Sequence, residues 1–208
     1  MSSPPSGKRP HPTGREALAA VIRACRLCPA AGIRTESLPV LNAPAAPEAV
    51  LVGQAPGIRE RDVRRPFAGP AGRRLRDWLA PAGLGTEEAF YSRLHVTSVA
   101  KCFPGKRPGG GSDLPPPPAM LRTCLPWLAQ ELELVQAPLV ISVGAMALAE
   151  LAPGRRLDDA VGIELAGPGG RALIALPHPS GASPWPNLPG NRERLERAVG
   201  LIAARLGT

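Results

Sequence analysis

The residues with the most distinctive chemistry are four cysteines, Cys25, Cys28, Cys102 and Cys124, and the chain has no others. The first two form a Cys-x-x-Cys pair, a spacing that suits one metal centre. A [4Fe–4S] cluster takes four thiolate ligands, and a tetrahedral zinc site takes the same number. The cysteines therefore predict a metal centre. Their spacing leaves iron–sulfur and zinc both open, and four unrelated cysteines are the remaining interpretation.

A second group of chemically capable residues follows the predicted strands. The apolar run at residues 49–52 predicts a buried strand, because it is too short for a helix. Residues 139–143 are predicted as another buried strand, and residues 95–100 and 171–176 as the remaining two. The segments at their ends are GQAPG (53–57), SVAKC (98–102), Gly144 and PHPSG (177–181). Since ligands bind at the carboxyl ends of parallel strands, these segments are predicted to meet in one site.

Helical spacing separates the strands and defines the elements that must position this site. Helices are predicted at residues 15–25, 69–79, 119–134, 145–151 and 191–206. Alternating strands and helices predict an α/β fold, a three-layer αβα sandwich with a mostly parallel four-stranded central sheet. Residues 1–14 are predicted to form a disordered basic tail, and residues 15–208 a single domain. The segment FPGKRPGGGSDLPPPP, residues 103–118, is predicted to be an irregular, mobile loop.

Composition bounds the class of partner. The 208 residues are 44% hydrophobic and carry a formal net charge of +8, which suits a polyanion. Only Lys8, Lys101 and Lys106 are lysines, so arginine supplies most of the positive charge; arginine codons of a GC-rich genome are the alternative explanation. No apolar run approaches the roughly 18 residues of a membrane span, and the N-terminus lacks a secretory signal. We therefore expect a soluble, cytoplasmic protein without disulfides.

The motifs occur in an order that resembles the iron–sulfur branch of the uracil-DNA glycosylase superfamily. They are CRLCP (25–29), GQAPG (53–57), RRPFAGPAGRRL (64–75), TSVAKC (97–102) and LPHPSG (176–181). The resemblance implies a DNA glycosylase of base excision repair, which hydrolyses the N-glycosidic bond of a flipped uracil or another deaminated or damaged base. It also favours a [4Fe–4S] cluster over zinc as the cofactor.

The resemblance implies catalytic roles for His178 and Gln54. His178 would donate a hydrogen bond to the uracil O2, because the departing base takes up negative charge. Gln54 stands where the branch usually has glutamate, and Ala55 where the best-known glycosylases have a water-activating aspartate. Base-activated water is therefore not evident in this motif. Glu60 and Asp62, which lie nearby, are predicted to be ion-paired with neighbouring arginines rather than catalytic.

The base itself would be held by Gly53, Ala55, Phe67 and Ser98. Phe67 matches the aromatic residue that stacks on the flipped base; a place in the core is the alternative. Ser98 stands where the branch commonly has an asparagine that distinguishes uracil from cytosine. A serine hydroxyl is shorter and cannot make the same two-point contact. The base preference is therefore open between uracil, a deaminated purine and a damaged base.

The remaining candidates would contact DNA. Ser180, Gly181 and their amides would bind a phosphate, and Lys106 and Arg107 would lie near the DNA backbone. Trp185 would wedge into the duplex or else pack on an exposed turn. The expected partner is double- or single-stranded DNA in the bacterial nucleoid, with no membrane association and a monomeric state. The main alternative function is a catalytically weak iron–sulfur module that binds damaged or single-stranded DNA. A zinc-stabilised nucleotide hydrolase is a third.

Overall fold

The computed structural model describes residues 12–109, 112–181 and 183–207. Its centre is a sheet whose described strands run in the order β2-β1-β3-β5-β4. The strands are β1 (Ala49–Gly53), β2 (Leu94–Ser98), β3 (Leu139–Val143), β4 (Glu164–Ala166) and β5 (Ala172–Leu176). Every pair is parallel except β4 with β5. The predicted mostly parallel αβα sandwich is confirmed.

Helices cover the sheet and connect its parallel strands. They are α1 (Arg15–Arg23), α2 (Leu27–Ala30), α3 (Ile58–Val63), α4 (Pro70–Leu79), α5 (Glu87–Arg93), α6 (Pro118–Leu134), α7 (Ala145–Leu151), α8 (Leu157–Ala160) and α9 (Asn191–Leu206). Every residue of the four parallel strands is buried. Strands without an exposed face require cover on both sides, which explains why β1, β3 and β5 are almost entirely apolar. β2 differs, because it contains the buried polar residues His95, Thr97 and Ser98.

The strand count differs from the prediction of four, because β4 was missed. Its three residues pair antiparallel with β5 at the edge of the sheet. Glu164 and Ala166 are exposed and only Leu165 is buried. A three-residue edge strand with one buried side chain has no apolar run for a sequence pattern to detect.

The second strand ends at Ser98, two residues earlier than predicted. The next two amides leave the sheet and follow the loop after β1: Val99 N donates to Gly53 O at 3.0 Å, and Ala100 N to Gln54 O at 3.0 Å. These bonds hold the segments after β1 and β2 side by side, so that both loops form one wall at the carboxyl edge.

Two predictions concern segments at or beyond the described ranges. The predicted tail, residues 1–14, lies outside the described residues except for its last three, and α1 begins at Arg15. The Pro/Gly loop is not wholly irregular, because Lys106 and Asp113 form an antiparallel bridge and Leu114 N donates to Gly105 O at 2.8 Å. Among the described helices, none has the length and hydropathy needed to cross a membrane.

Candidate active site

A cavity of about 340 Å³ opens at the carboxyl edge of the sheet. It brings together seven of the predicted site residues: Gly53, Gln54, Ala55, Phe67, Ser98, His178 and Ser180. The other lining residues were not among the predicted site residues, and they are Pro56, Gly57, Glu60, Pro66, Ala71, Thr97, Ser112, Asp113 and Leu114. Lys106, Arg107, Gly181 and Trp185 are not among the residues that line it. The loops after β1, β2 and β5 therefore meet as their strand-end positions predict.

His178 lies two residues after β5 and lines the cavity. Its Nδ1 accepts a hydrogen bond from the backbone amide of Ser180 at 3.2 Å. Burial lowers the pKa of the imidazole below its usual value. Because Nδ1 is the acceptor, the proton of the neutral ring resides on Nε2, which makes Nε2–H a donor. The imidazole of His178 packs against the backbone of Gly144 (φ +88°), where a Cβ would lie 3.3 Å from His178 Cδ2.

Phe67 has a left-handed backbone conformation, with φ of 52°. Such a conformation is uncommon for an aromatic residue and persists only where its surroundings hold it. Two side chains do so here: Tyr91 Oη donates to Pro66 O at 2.7 Å, and Arg76 donates to Phe67 O at 3.2 Å. Hydrogen bonds thus hold the backbone carbonyls of both Pro66 and Phe67. The Phe67 ring is only partly buried and lines the cavity.

Two glycines make room for Phe67. A Cβ on Gly53 would lie 3.0 Å from Phe67 Cζ, so the ring packs on the bare backbone at the end of β1. A Cβ on Gly72, in the first turn of α4, would lie 1.7 Å from Phe67 O. This separation is far inside contact distance, so position 72 must be glycine while the loop keeps this course.

Ser98 is buried, with 6% of its surface exposed, and its hydroxyl is already engaged. Ser98 Oγ donates to the carbonyl of Ala100 at 2.7 Å. A hydroxyl has one proton, so towards the cavity Ser98 offers only oxygen lone pairs. Ser98 therefore cannot make the two hydrogen bonds of an asparagine amide, and its hydroxyl proton is not available as a donor to a ligand in the cavity.

A buried ionic network lies directly behind Ser98. Lys101 Nζ donates to the carbonyl of Ser98 at 2.7 Å, to Thr97 Oγ1 at 2.7 Å and to Glu131 Oε2 at 2.5 Å. Thr97 Oγ1 donates to the same carboxylate oxygen at 3.0 Å, and His95 Nε2 lies 3.0 Å from Glu131 Oε1. The network joins the end of β2 to α6, and sequence reasoning did not foresee it.

The prediction for the acidic pair after β1 was wrong for Glu60. Asp62 does pair with Arg61, at 2.8 Å. Glu60 instead lines the cavity and accepts backbone hydrogen bonds from Gly57 N at 3.1 Å and Gly69 N at 3.0 Å. One carboxylate thus bridges the loop after β1 and the start of α4, because its two oxygens can each satisfy one amide.

The prediction that Trp185 wedges into DNA needs correction. Trp185 does not project as a wedge: it is 8% exposed, and its Nε1 donates to Asp158 at 2.7 Å. Insertion would break this hydrogen bond and expose a packed indole. The amide of Ser180 donates to His178 Nδ1, and Gly181 and Arg107 are exposed. The phosphate contacts of Ser180, Gly181, Lys106 and Arg107 remain predictions.

The four cysteines, all within the described residues, form no disulfide. Cys28 and Cys124 pack with Ala100 and Met120 in a small cluster that also contacts Ala55 of the cavity wall. A hydrogen bond to Cys124, burial and the other two thiols raise the pKa of Cys28, and burial with Cys124 and Cys25 raises that of Cys102 to about 12. Within the described ranges, no three histidine, cysteine or acidic side chains are arranged to hold one metal ion.

The fold and cavity define an α/β protein with a ligand site at the sheet's carboxyl edge, walled by an aromatic ring and a neutral histidine. The chain belongs to the uracil DNA glycosylase superfamily, whose family profile matches residues 41–199. The resemblance of the motifs to this superfamily is confirmed.

Similar proteins include type-4 uracil-DNA glycosylases of three organisms. That of Archaeoglobus fulgidus is 33% identical over 127 residues, which are 61% of this chain and 57% of the relative. That of Pyrobaculum aerophilum is 30% identical over 141 residues, 66% of this chain and 65% of the relative. That of Thermotoga maritima is 28% identical over 133 residues, 63% and 64% of the two chains. The chain thus spans less than two thirds of the length of these relatives.

Proposed function

We propose that this protein is a DNA glycosylase that hydrolyses the N-glycosidic bond of uracil in DNA, the first step of base excision repair. The observation that carries the proposal is that Phe67 and His178 both line the cavity at the carboxyl edge of the sheet. An aromatic wall suits a planar base, and an N–H donor suits a base that departs as an anion. The relatives named as uracil-DNA glycosylases support uracil as the base.

The residues divide the work of such a reaction between binding and charge stabilisation. A target base inside a duplex is out of reach, so the nucleotide must leave the stack and enter the cavity. Phe67 stacks on the base, and the hydrogen-bonded clamp on its backbone keeps the ring in place. As the bond between C1′ and the base nitrogen lengthens, negative charge spreads to the base carbonyl. The Nε2–H group of His178 stabilises that charge without transferring its proton.

The proposed partner is DNA, and the net charge of +8 favours its binding. Lys106, Arg107 and Gly181 lie in loops beside the cavity and would contact phosphates. The protein would act as a monomer in the cytoplasm, on the DNA of a bacterial nucleoid.

We expect excess protein to release uracil from a single-uracil oligonucleotide, leaving an abasic site that alkali cleaves. Matched oligonucleotides with hypoxanthine or xanthine test the wider substrate range, and cytosine and thymine are the controls. The measurement is the fraction of strand cleaved under single-turnover conditions. Binding of these oligonucleotides without cleavage of any of them would overturn the glycosylase proposal and favour the DNA-binding module. The support for that module is that Gln54 and Ser98 stand where the motifs usually have glutamate and asparagine.

We also propose that Cys25, Cys28, Cys102 and Cys124 hold a [4Fe–4S] cluster. The support is that their thiols, from three separate segments, are close enough to raise one another's pKa. Thiolates crowded into a buried site need a cation to offset their charge. A zinc ion would take the same four thiolates, and the resemblance of the cysteine-bearing motifs to the iron–sulfur branch of the superfamily favours the cluster. When bound, the cluster would cross-link these segments behind the cavity wall.

The purified protein is therefore expected to be brown and to contain about four iron atoms per chain. Cys28→Ser should lose most of the iron, because one ligand of the cluster is removed. Met120→Leu is the matched control, since Met120 packs beside Cys28 and Cys124 without being a ligand, and it should retain the iron. Stoichiometric zinc, or no metal in protein purified without air, would contradict the assignment.

A further inference from the structure

Two carboxylates line the cavity in the described part of the chain, and they are engaged differently. Both oxygens of Glu60 accept backbone hydrogen bonds, from Gly57 and Gly69. Glu60 therefore acts as a brace between two loops. The other carboxylate belongs to Asp113, in the Pro/Gly loop, and it accepts a hydrogen bond from the backbone amide of Ile58. That single bond leaves the carboxylate with unused lone pairs.

The position of Asp113 is defined by contacts on both sides. Its Oδ2 lies 2.9 Å from the point that a Cβ on Gly57 would occupy, and Glu60 Oε2 lies 2.8 Å from the same point. The backbone bridge to Lys106 and the hydrogen bond from Leu114 N to Gly105 O fix the loop that carries it. The carboxylate is thus held at the mouth of the cavity that contains His178, while remaining accessible to water.

Hydrolysis of an N-glycosidic bond needs a water molecule at C1′, and the loop after β1 offers no carboxylate for it, because positions 54 and 55 are Gln54 and Ala55. We propose that the carboxylate of Asp113 orients this water and accepts its proton. This inference rests on the proposed function.

The step balances as follows. The C1′–N bond breaks and its electron pair leaves with the base, whose charge His178 stabilises. The water oxygen forms a bond to C1′, and one water proton passes to Asp113. That proton later returns through solvent to the base anion. The products are the neutral free base and an abasic deoxyribose with a hydroxyl at C1′.

The electrostatic surroundings suit a base. Burial raises the pKa of Asp113 above its usual value, and the negative charge of Glu60 raises it further. Lys106 and the hydrogen bond from Ile58 oppose these effects, and the net direction is upward. A carboxylate with a raised pKa accepts a proton more readily than an ordinary aspartate does. Since only the ionised form is a base, activity must fall as the pH drops through this pKa.

The test compares Asp113→Asn with wild type in single-turnover release of uracil across a range of pH. We expect a rate loss of roughly 10²–10⁴-fold, together with loss of the acidic limb that Asp113 contributes to the wild-type pH profile. Any limb from His178 would be common to both proteins. Affinity for DNA that already contains an abasic site should be unchanged. Asp62→Asn makes the same charge change at an exposed site and should keep the wild-type rate and profile.

Each other outcome has a distinct meaning. If wild type releases uracil and Asp113→Asn matches its rate and profile, the assignment of Asp113 is overturned while the glycosylase stands. If the variant loses rate and abasic-site affinity in equal measure, Asp113 shapes the loop and is not the base. If wild type releases no base, the proposed function fails, and the role of Asp113 fails with it.

Discussion

Replacing His178 with alanine is expected to slow base release about 10²–10³-fold, the cost of removing one donor to a developing anion. The structure explains why the donor is ready before the reaction. The amide of Ser180 occupies Nδ1, and burial lowers the pKa of the ring. The imidazole is therefore neutral near neutral pH, with its proton on Nε2. No reorganisation is needed as the charge on the base develops.

The measurement is the single-turnover rate on a uracil oligonucleotide, with the temperature of unfolding as the check on folding. His178→Gln is the informative companion, because its amide keeps an N–H donor and should recover part of the lost rate. Both variants should unfold near the wild-type temperature, since His178 is only partly buried. An alanine variant with the wild-type rate would remove His178 from the mechanism.

Replacing Glu131 with glutamine is expected to lower the free energy of unfolding by about 3–5 kcal/mol, because it leaves the ammonium group of Lys101 buried without its counter-ion. Glu131 and Lys101 are each 1% exposed. Urea denaturation of wild type and variant measures the difference. Glu133→Gln, on the exposed face of the same helix, is the matched control and should stay within about 0.5 kcal/mol of wild type.

The pair can be tested for coupling by removing both charges. In a protein with Glu131→Gln and Lys101→Met, neither ion is left alone, so part of the lost stability should return. A double variant less stable than Glu131→Gln by the full cost of the lysine substitution would show that the two side chains act independently. A Glu131→Gln protein as stable as the Glu133→Gln control would contradict the ion-pair argument.

The difference in the free energy of unfolding between wild type and Glu131→Gln should depend on pH, and the pKa of Glu131 gives the direction. Burial raises the pKa of Glu131, but the charge of Lys101 and the hydrogen bond from His95 outweigh it and lower the pKa from 4.5 to about 2. A carboxyl with a lowered folded-state pKa stabilises the fold above its unfolded value. The difference between wild type and variant should therefore be complete above pH 4.5 and decline as the pH falls towards about 2.

The parts of the fold that could be predicted from sequence are those with local signals. Three of the four parallel strands, β1, β3 and β5, are almost continuous apolar runs. The residues after the parallel strands meet at one edge because these strands share a direction. The edge strand β4 has no such run. Phe67 was recognised by its motif, but its left-handed backbone depends on Tyr91 and Arg76, which are 25 and 9 residues from their acceptors.

The missed partnerships of Lys101 with Glu131 and of Trp185 with Asp158 join distant positions. Lys101 reads as one of three lysines in a basic chain, and only the packing of α6 against β2 reveals that it is buried against Glu131. Trp185 follows a motif associated with a DNA-contacting loop, yet Asp158, 27 residues away, takes its indole N–H. Long-range pairs of this kind leave no periodic pattern in a single sequence.

The contact between Gly72 and the carbonyl of Phe67 limits the width of the cavity beside the Phe67 ring, where the proposed base would stack. A methyl group at position 72 would push this carbonyl away from α4, and the peptide would carry the ring with it. The ring already lies against the bare backbone of Gly53, where another methyl group would stand 3.0 Å away. The absence of a side chain at Gly72, beneath the loop, and at Gly53, beneath the ring, therefore fixes where the Phe67 ring lies. A side chain larger than hydrogen at position 53 or 72 would therefore change the space available to a planar ligand.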